Sequence, residues 1–180
     1  MYQGKNRTAL ASQRQIADAL LSLMAELPYI EISVAALCRR AGVSRQTFYS
    51  LFRVKENVLV YLLREDCSAE PIPDPPEGET RLRQMCRMYA RFVARHREVL
   101  RLLVDNDLIP MLERSFYQAI HQDDSYCADI QESYREYIAG FLAAGLTRLS
   151  DLFVQRDLSP AEMEEITYTL LRGECRKKTP

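Results

Sequence analysis

Histidine is scarce in this chain of 180 residues: only His96 and His121 occur. Neither lies near a serine elbow, a glycine loop built to cradle phosphate, or a carboxylate at metal-ligand spacing. The motifs therefore give catalysis no support, and no metal or cofactor is expected. Each histidine reads as part of a polar helix surface. Cysteine is present but unorganised. Cys38, Cys67, Cys86, Cys127 and Cys175 are odd in number and widely scattered, unlike a disulfide framework or a Cys-x-x-Cys zinc site. Cys38 and Cys86 fall in apolar stripes and read as small reduced core residues, while Cys67, Cys127 and Cys175 lie near helix ends with room to be exposed. There is no run of about 18 uncharged apolar residues and no secretory signal, so a cytoplasmic protein without a membrane partner is expected. Strands are equally hard to find, because the apolar residues recur at helical spacing nearly throughout.

What is present is unevenly distributed. The chain is 47% hydrophobic and long enough to bury a substantial core. Residues 1–65 carry nine Lys or Arg against five Asp or Glu, giving +4, and the remainder carries fifteen against twenty, giving -5. The basic end is a candidate for contact with nucleic acid. Lys5 and Arg7 precede the first helix and read as a frayed, solvated terminus.

The most informative stretch runs from Ser33 to Leu59. Ser33 is a natural N-cap, since its hydroxyl can accept from a free amide of a first turn, and Val34, Leu37, Cys38 and Ala41 then share a helical face. Gly42 stands where a left-handed backbone would end that helix sharply, and Ser44 can cap a second helix from Arg45. Two helices joined this tightly form a helix-turn-helix. In the second, Phe48, Leu51 and Phe52 share a face at i, i+3 and i+4, which directs Arg45, Gln46, Tyr49 and Ser50 elsewhere. Arginine can fork onto guanine, glutamine can pair with adenine, and the two hydroxyls can reach phosphate oxygens. A merely solvated face is the alternative, and the agreement of turn, caps and apolar spacing speaks against it.

These residues resemble the signature of the TetR family of bacterial transcriptional regulators. The likeness is carried by Ser33, by Ala41-Gly42-Val43-Ser44, by Thr47-Phe48-Tyr49-Ser50-Leu51-Phe52 and by Lys55-Glu56-Asn57-Val58-Leu59, and it is close over about residues 8 to 65. It implies that Ser33, Tyr49 and Lys55 hold phosphates while Arg45, Gln46, Thr47 and Ser50 lie at or near base edges. With the cap Ser44, these eight are the expected DNA-binding set. Two positions depart from the pattern. Leu51 stands where the family commonly has His, and Val54 where a capping Ser, Asn or Asp usually opens the fourth helix, a cap worth about 1 kcal/mol.

The remaining chain reads as all-α, with about nine helices in total. Residues about 8–26 form a first helix stopped by Pro28, and a fourth runs from about Lys55 to Asp66. Residues 70–79 contain four prolines and a glycine, the one clear linker, which divides a DNA-binding domain, 1–68, from a helical domain, 69–180. Beyond it, Leu82, Met85, Cys86, Tyr89 and Val93 mark a fifth helix, and Val99, Leu102 and Leu103 a sixth. Asp107 can cap a seventh that runs to the polar Gln122-Asp123-Asp124-Ser125 stretch. Tyr134, Ile138, Phe141, Leu142, Leu149, Leu152 and Phe153 define a long eighth, in which Gly140, Ala143, Ala144 and Gly145 allow close approach of another backbone. The last helix opens on Ser159, Pro160 and Glu162, a capping box, and ends at Gly173.

The resemblance implies more for this second domain. Its last two helices would pair with those of a second copy into a four-helix bundle, through Phe141, Ala144, Gly145, Leu149 and Phe153 of the eighth and Met163, Ile166 and Leu170 of the ninth. The dimer would place two recognition helices about one duplex turn apart, roughly 34 Å, on a palindromic operator. A pocket lined by Met85, Met88, Tyr89, Phe92, Phe116 and Tyr117 would take a small hydrophobic or aromatic effector, although packed core is the commoner role of such stripes. Ligand binding would then move the fourth helix and release a repressor from its operator. The alternative is a coactivator or scaffold of the same fold that does not read DNA itself.

Overall fold

The structure is a computed structural model that describes residues 6–64, 75–122 and 131–173. Among the described residues there are nine α-helices, one 3-10 turn and no strand, as an all-α chain should show. They fall into two compact units, Met1–Glu70 and Pro71–Pro180. Cys67, Cys127 and Cys175, the linker before Pro75, the boundary at residues 68 and 69 and the polar run after Gln122 lie outside the described residues.

The N-terminal unit opens with α1, Arg7–Met24. The Asn6 side chain accepts from the amides of Thr8 at 2.9 Å and Ala9 at 3.3 Å, so Arg7 belongs to the first helical turn and not to a frayed arm. A 3-10 turn at Tyr29–Glu31 leads to α2, Val34–Ala41, followed by α3, Arg45–Leu51, and α4, Glu56–Arg64. One core joins them. Ile16 and Leu20 of α1, Leu37 of α2, Phe48 of α3 with its C-cap Phe52, and Val58 and Leu59 of α4 are all buried. The Phe52 ring lies tilted against Phe48 at 6.1 Å and meets Tyr61 edge-to-face at 5.6 Å between centroids. At the surface the Arg40 guanidinium forks onto both Glu26 oxygens at 2.8 Å and donates to Ser22 Oγ, clipping α2 to α1.

The second unit contains α5, Arg81–Arg95, α6, Arg97–Asp105, α7, Ile109–Gln122, α8, Glu132–Gln155, and α9, Pro160–Leu171. Helix α8 packs along α7 and also meets α6, while α9 packs along α5. The small buried residues of α8 include Ala139, Ala143 and Ser150. Gly140 and Gly145 play no such part within the chain, for a Cβ at either would meet open space. Arg83 of α5 reaches Glu164 and Glu165 of α9 at 2.9 Å each and covers the Tyr168 ring. Inside, the Tyr89 hydroxyl donates to Leu146 O at 2.6 Å and shares a hydrogen bond with the buried Ser150. Burial pushes the Cys86 thiol up to about 11, which keeps it protonated and inert.

Two expectations need correction here. Asp107 does not cap α7: it has φ +56° and ends α6, with its amide on Val104 O and the Leu108 amide on Leu103 O. Asp157 closes α8 in the same way, and aspartate is among the few side chains that tolerate this left-handed conformation. His96 is buried at the junction of α5 and α6 with its ring 4.6 Å from Phe92, so it is not a surface residue. Helix α8 is also long and apolar enough, by length and composition, to cross a membrane, with mean hydropathy 1.3 over Ser133–Gln155. Core helices pass the same test.

Phe52 joins Phe48 and Tyr61 in the N-terminal core. Truncation to alanine should cost about 3–5 kcal/mol of unfolding free energy, read as a lowered urea midpoint for the N-terminal unit; a loss under 1 kcal/mol would mean the core is not organised around this ring.

Candidate nucleic-acid interface

The site is built by three local bond sets. Ser33 Oγ accepts from the Ala36 amide at 3.1 Å and starts α2. Gly42, at φ +66°, ends it, with its own amide on Arg39 O and the Val43 amide on Cys38 O. Ser44 Oγ then accepts from the Thr47 amide at 3.0 Å and lies 2.8 Å from Thr47 Oγ1, starting α3. With the start of α3 set at Arg45, Phe48 and Leu51 point into the core, and Arg45, Gln46, Tyr49 and Ser50 are exposed on one short helix. Thr47 is half-buried beside the cap. The Tyr49 ring leans edge-on against Phe48 at 5.4 Å, which steadies an exposed phenol. Ser50 donates its hydroxyl to Thr47 O at 2.8 Å and keeps its lone pairs for an outside donor. The hydroxyl of Ser33, which only accepts in its cap, remains able to donate to an oxyanion.

The cations of this unit divide into two kinds. Arg14 pairs with Asp18, and Arg40 with Glu26, whose carboxyl it holds below the usual carboxylate range. Arg39 and Arg45, by contrast, are exposed and make no ion pair or hydrogen bond among the described residues. Lys55 is engaged within its own unit. Its ammonium donates to Tyr29 O at 2.7 Å and Ile32 O at 2.8 Å and sits 3.9 Å above the Tyr29 ring, so two of its three donors hold the turn before α2. Burial lowers its pKa, opposed by Glu56. Tyr29 beneath it has its phenol pKa raised, chiefly by burial and further by Glu56. The two departures also have structural readings. Leu51 is buried core, and Val54 is exposed at the foot of α4. Cys38 is buried behind the turn, and burial raises its thiol pKa against the opposing effect of Arg45.

The other expected sites are partly assembled. Tyr89 and Phe92 both meet Phe116 edge-on, at 6.1 and 5.6 Å, whereas Tyr117 stacks on His121 and Met88 is exposed; Met85 is half-buried. The Tyr89 hydroxyl is already engaged by Leu146 and Ser150, so this part of the set behaves as packed core. Of the expected dimer residues, Phe153 and Met163 are fully buried within the chain and cannot form an outer seam. Phe141 is 77% exposed, Leu170 53% and Ile166 37%, with Ala144 and Gly145 also exposed and Leu149 half-buried. Tyr137, 73% exposed, and Tyr134 extend the same stripe. Their spacing from Phe141, four and seven residues back, was the available signal for both.

Residues 16–62 match the family model described as bacterial regulatory proteins, tetR family. No curated protein matches the chain. Its fold is similar to that of the dihydroxyacetone kinase operon activator DhaS, with TM-score 0.56 and 19% identity, covering 91% of this chain and 95% of that one. It is similar also to a TetR-like transcriptional regulator from Rhodococcus sp. RHA1, with TM-score 0.54 and 17% identity, covering 92% and 97%. At these identities the likeness is one of fold. The helix-turn-helix unit, over residues 16–62, is therefore one of the tetR family of bacterial regulatory proteins.

Proposed function

We propose that this protein is a DNA-binding transcriptional repressor that sits as a homodimer on a palindromic operator and is released by a small hydrophobic or aromatic effector. The observation that carries the DNA reading is the exposed face of α3. Arg45 and Gln46, side chains able to read base edges, stand beside Tyr49 and Ser50, and no hydrogen bond or ion pair among the described residues engages the Arg45 guanidinium. Ser33, Ser44 and Thr47 set the helices and offer hydroxyls at their starts. The dimer is supported by Tyr134, Tyr137, Phe141, Ile166 and Leu170, large apolar residues left in water on the last two helices. The effector reading is supported by the aromatic cluster of Tyr89, Phe92 and Phe116, which a ligand would have to part. The sign of regulation is not a property of the fold, since DhaS, whose fold is similar, is an operon activator. A reporter driven from the selected operator decides it.

The second reading, a coactivator or scaffold that does not read DNA, is favoured by Lys55 being spent on backbone carbonyls and by the apolar Leu51. A salt titration separates the two, because DNA binding loses affinity steeply and linearly in log salt and a scaffold shows no such dependence.

Selection from random duplexes should yield a two-fold symmetric site, and Gln46→Ala should then bind it about 1–3 kcal/mol more weakly and lose preference at one base pair per half-site. Unchanged affinity and unchanged preference would remove α3 as the reading element. For the dimer, Phe141→Asp should weaken self-association by at least about 2 kcal/mol in sedimentation equilibrium; a chain that is monomeric before substitution contradicts the paired arrangement.

A further inference from the structure

Just past the end of α3 stands a cation, Arg53, that the family signature leaves unassigned. Arg53 directly follows Phe52, the C-cap of α3, and has φ +65°. The other left-handed non-glycine residues, Asp107 and Asp157, are accounted for by helix ends in which two amides fold back on carbonyls of the last turn, and by a side chain that tolerates the conformation. Neither reason applies to Arg53. The next amide, that of Val54, bonds only two residues back to Phe52 O at 2.8 Å, and a long unbranched side chain gains nothing locally from a left-handed backbone. The carbonyl of Phe52 is also served without it, since Asn57 Nδ2 donates to that oxygen at 2.7 Å.

The guanidinium itself is exposed and makes no hydrogen bond, ion pair or ring contact among the described residues. Glycine or asparagine would hold this backbone at less strain, so the fold does not call for an arginine, and an unpaired charge retained at a strained position suits a partner outside the chain. Two residues on, Lys55 is committed to Tyr29 and Ile32. We propose that Arg53 binds a DNA phosphate at the foot of the recognition helix, taking the part that Lys55 gives up by bracing the turn before α2. The proposal rests on the DNA-binding reading above and adds to it the residue that closes the C-terminal end of the interface.

The test is a salt titration of the full chain on a fluorescent duplex of mixed sequence, read by anisotropy, so no operator need be known. Each phosphate neutralised contributes about 0.9 to the slope of log affinity against log salt. Arg53→Gly should lower the slope by about that amount for each bound protomer, about 1.8 for the homodimer, equivalent to roughly twelvefold less affinity lost between about 50 and 200 mM salt. Its thermal midpoint should not fall, because glycine suits the left-handed backbone, and this separates lost contact from lost fold. Arg53→Lys should keep the slope. Lys55→Gln should lower the thermal midpoint and leave the slope unchanged at a temperature where the variant is folded. A wild-type slope in Arg53→Gly, or a fall of about 0.9 per bound protomer in Lys55→Gln, overturns the assignment. Wild-type protein without any salt-dependent duplex binding overturns instead the DNA reading on which it rests.

Discussion

A helix shorter than two turns cannot hold itself together in water; its first amides and last carbonyls are most of what it has. Helix α3 has seven residues, and its existence depends on the three bonds that surround Gly42. The left-handed backbone at Gly42 lets its own amide and that of Val43 close α2, and the Ser44 hydroxyl then takes the Thr47 amide as α3 begins. Nothing longer than this turn sets the phase of α3. Begun one residue later, the helix would carry Phe48, Phe52 and Leu51 partly into solvent and bring Tyr49 toward the core, so the polar face exists because the cap is where it is. The buried rings of Phe48 and Phe52 supply the free energy, and the turn supplies the register.

The charges of the N-terminal unit follow from the same economy of short helices. Few carbons are available to bury, so several cations are spent on holding elements together. Arg40 clips α2 to α1 through Glu26 and Ser22, and Lys55 gathers two carbonyls of the turn before α2 beneath its ammonium. Exposed pairs of this kind contribute little to stability, but the Lys55 cluster is half-buried and its donors meet the carbonyl of Ile32 and that of Tyr29, which also accepts from the Ile32 amide. The cations left over, Arg39 and Arg45 among them, are those that the fold does not use. An interface for a polyanion needs such residues, because a charge already matched inside the protein must lose its partner before it can gain a phosphate.

The parts legible in the sequence were those decided within four residues. Ser33, Gly42, Ser44 and the Ser159–Glu162 capping box act through bonds to their near neighbours, and the structure forms each of them. The same local reading misplaced Asp107, because an aspartate before an apolar run can either open the next helix or close the last one in the left-handed conformation, and only the φ angle distinguishes them. Partner choice was not legible either. Periodicity marked Phe153, Met163 and Phe141 as apolar positions of the last two helices, but the first two face their own chain while Phe141 faces water. His96 was misread for a related reason: three charged residues, Arg95, Arg97 and Glu98, flank it in sequence, and the junction of α5 and α6 still turns it inward. Lys55 shows the limit most directly, for its carbonyl partners lie 26 and 23 residues away.

The stripe along α8 links these points to a paired molecule. Tyr134, Tyr137, Phe141 and Ala144 recur at steps of three, four and three, close to the 3.5-residue period of helices that pack against one another at a shallow angle, and all four are exposed. The opposite side of the same helix is already filled, with Ala139, Ala143 and Ser150 buried and Tyr89 bonded across to Leu146. A helix apolar on both sides has one side too many for a lone chain in water. Gly145 fits this picture, since the open space around its Cα is on no neighbour within the chain and would admit a second backbone. Pairing also suits what α3 lacks. Seven residues expose only a few base-reading side chains, and a second copy doubles the contacts while fixing their separation, so specificity that one short helix cannot reach becomes a matter of spacing between two. The surface that would make the pair and the helix that would read DNA therefore place the same demand on the molecule, one through unburied aromatic area and the other through too little contact.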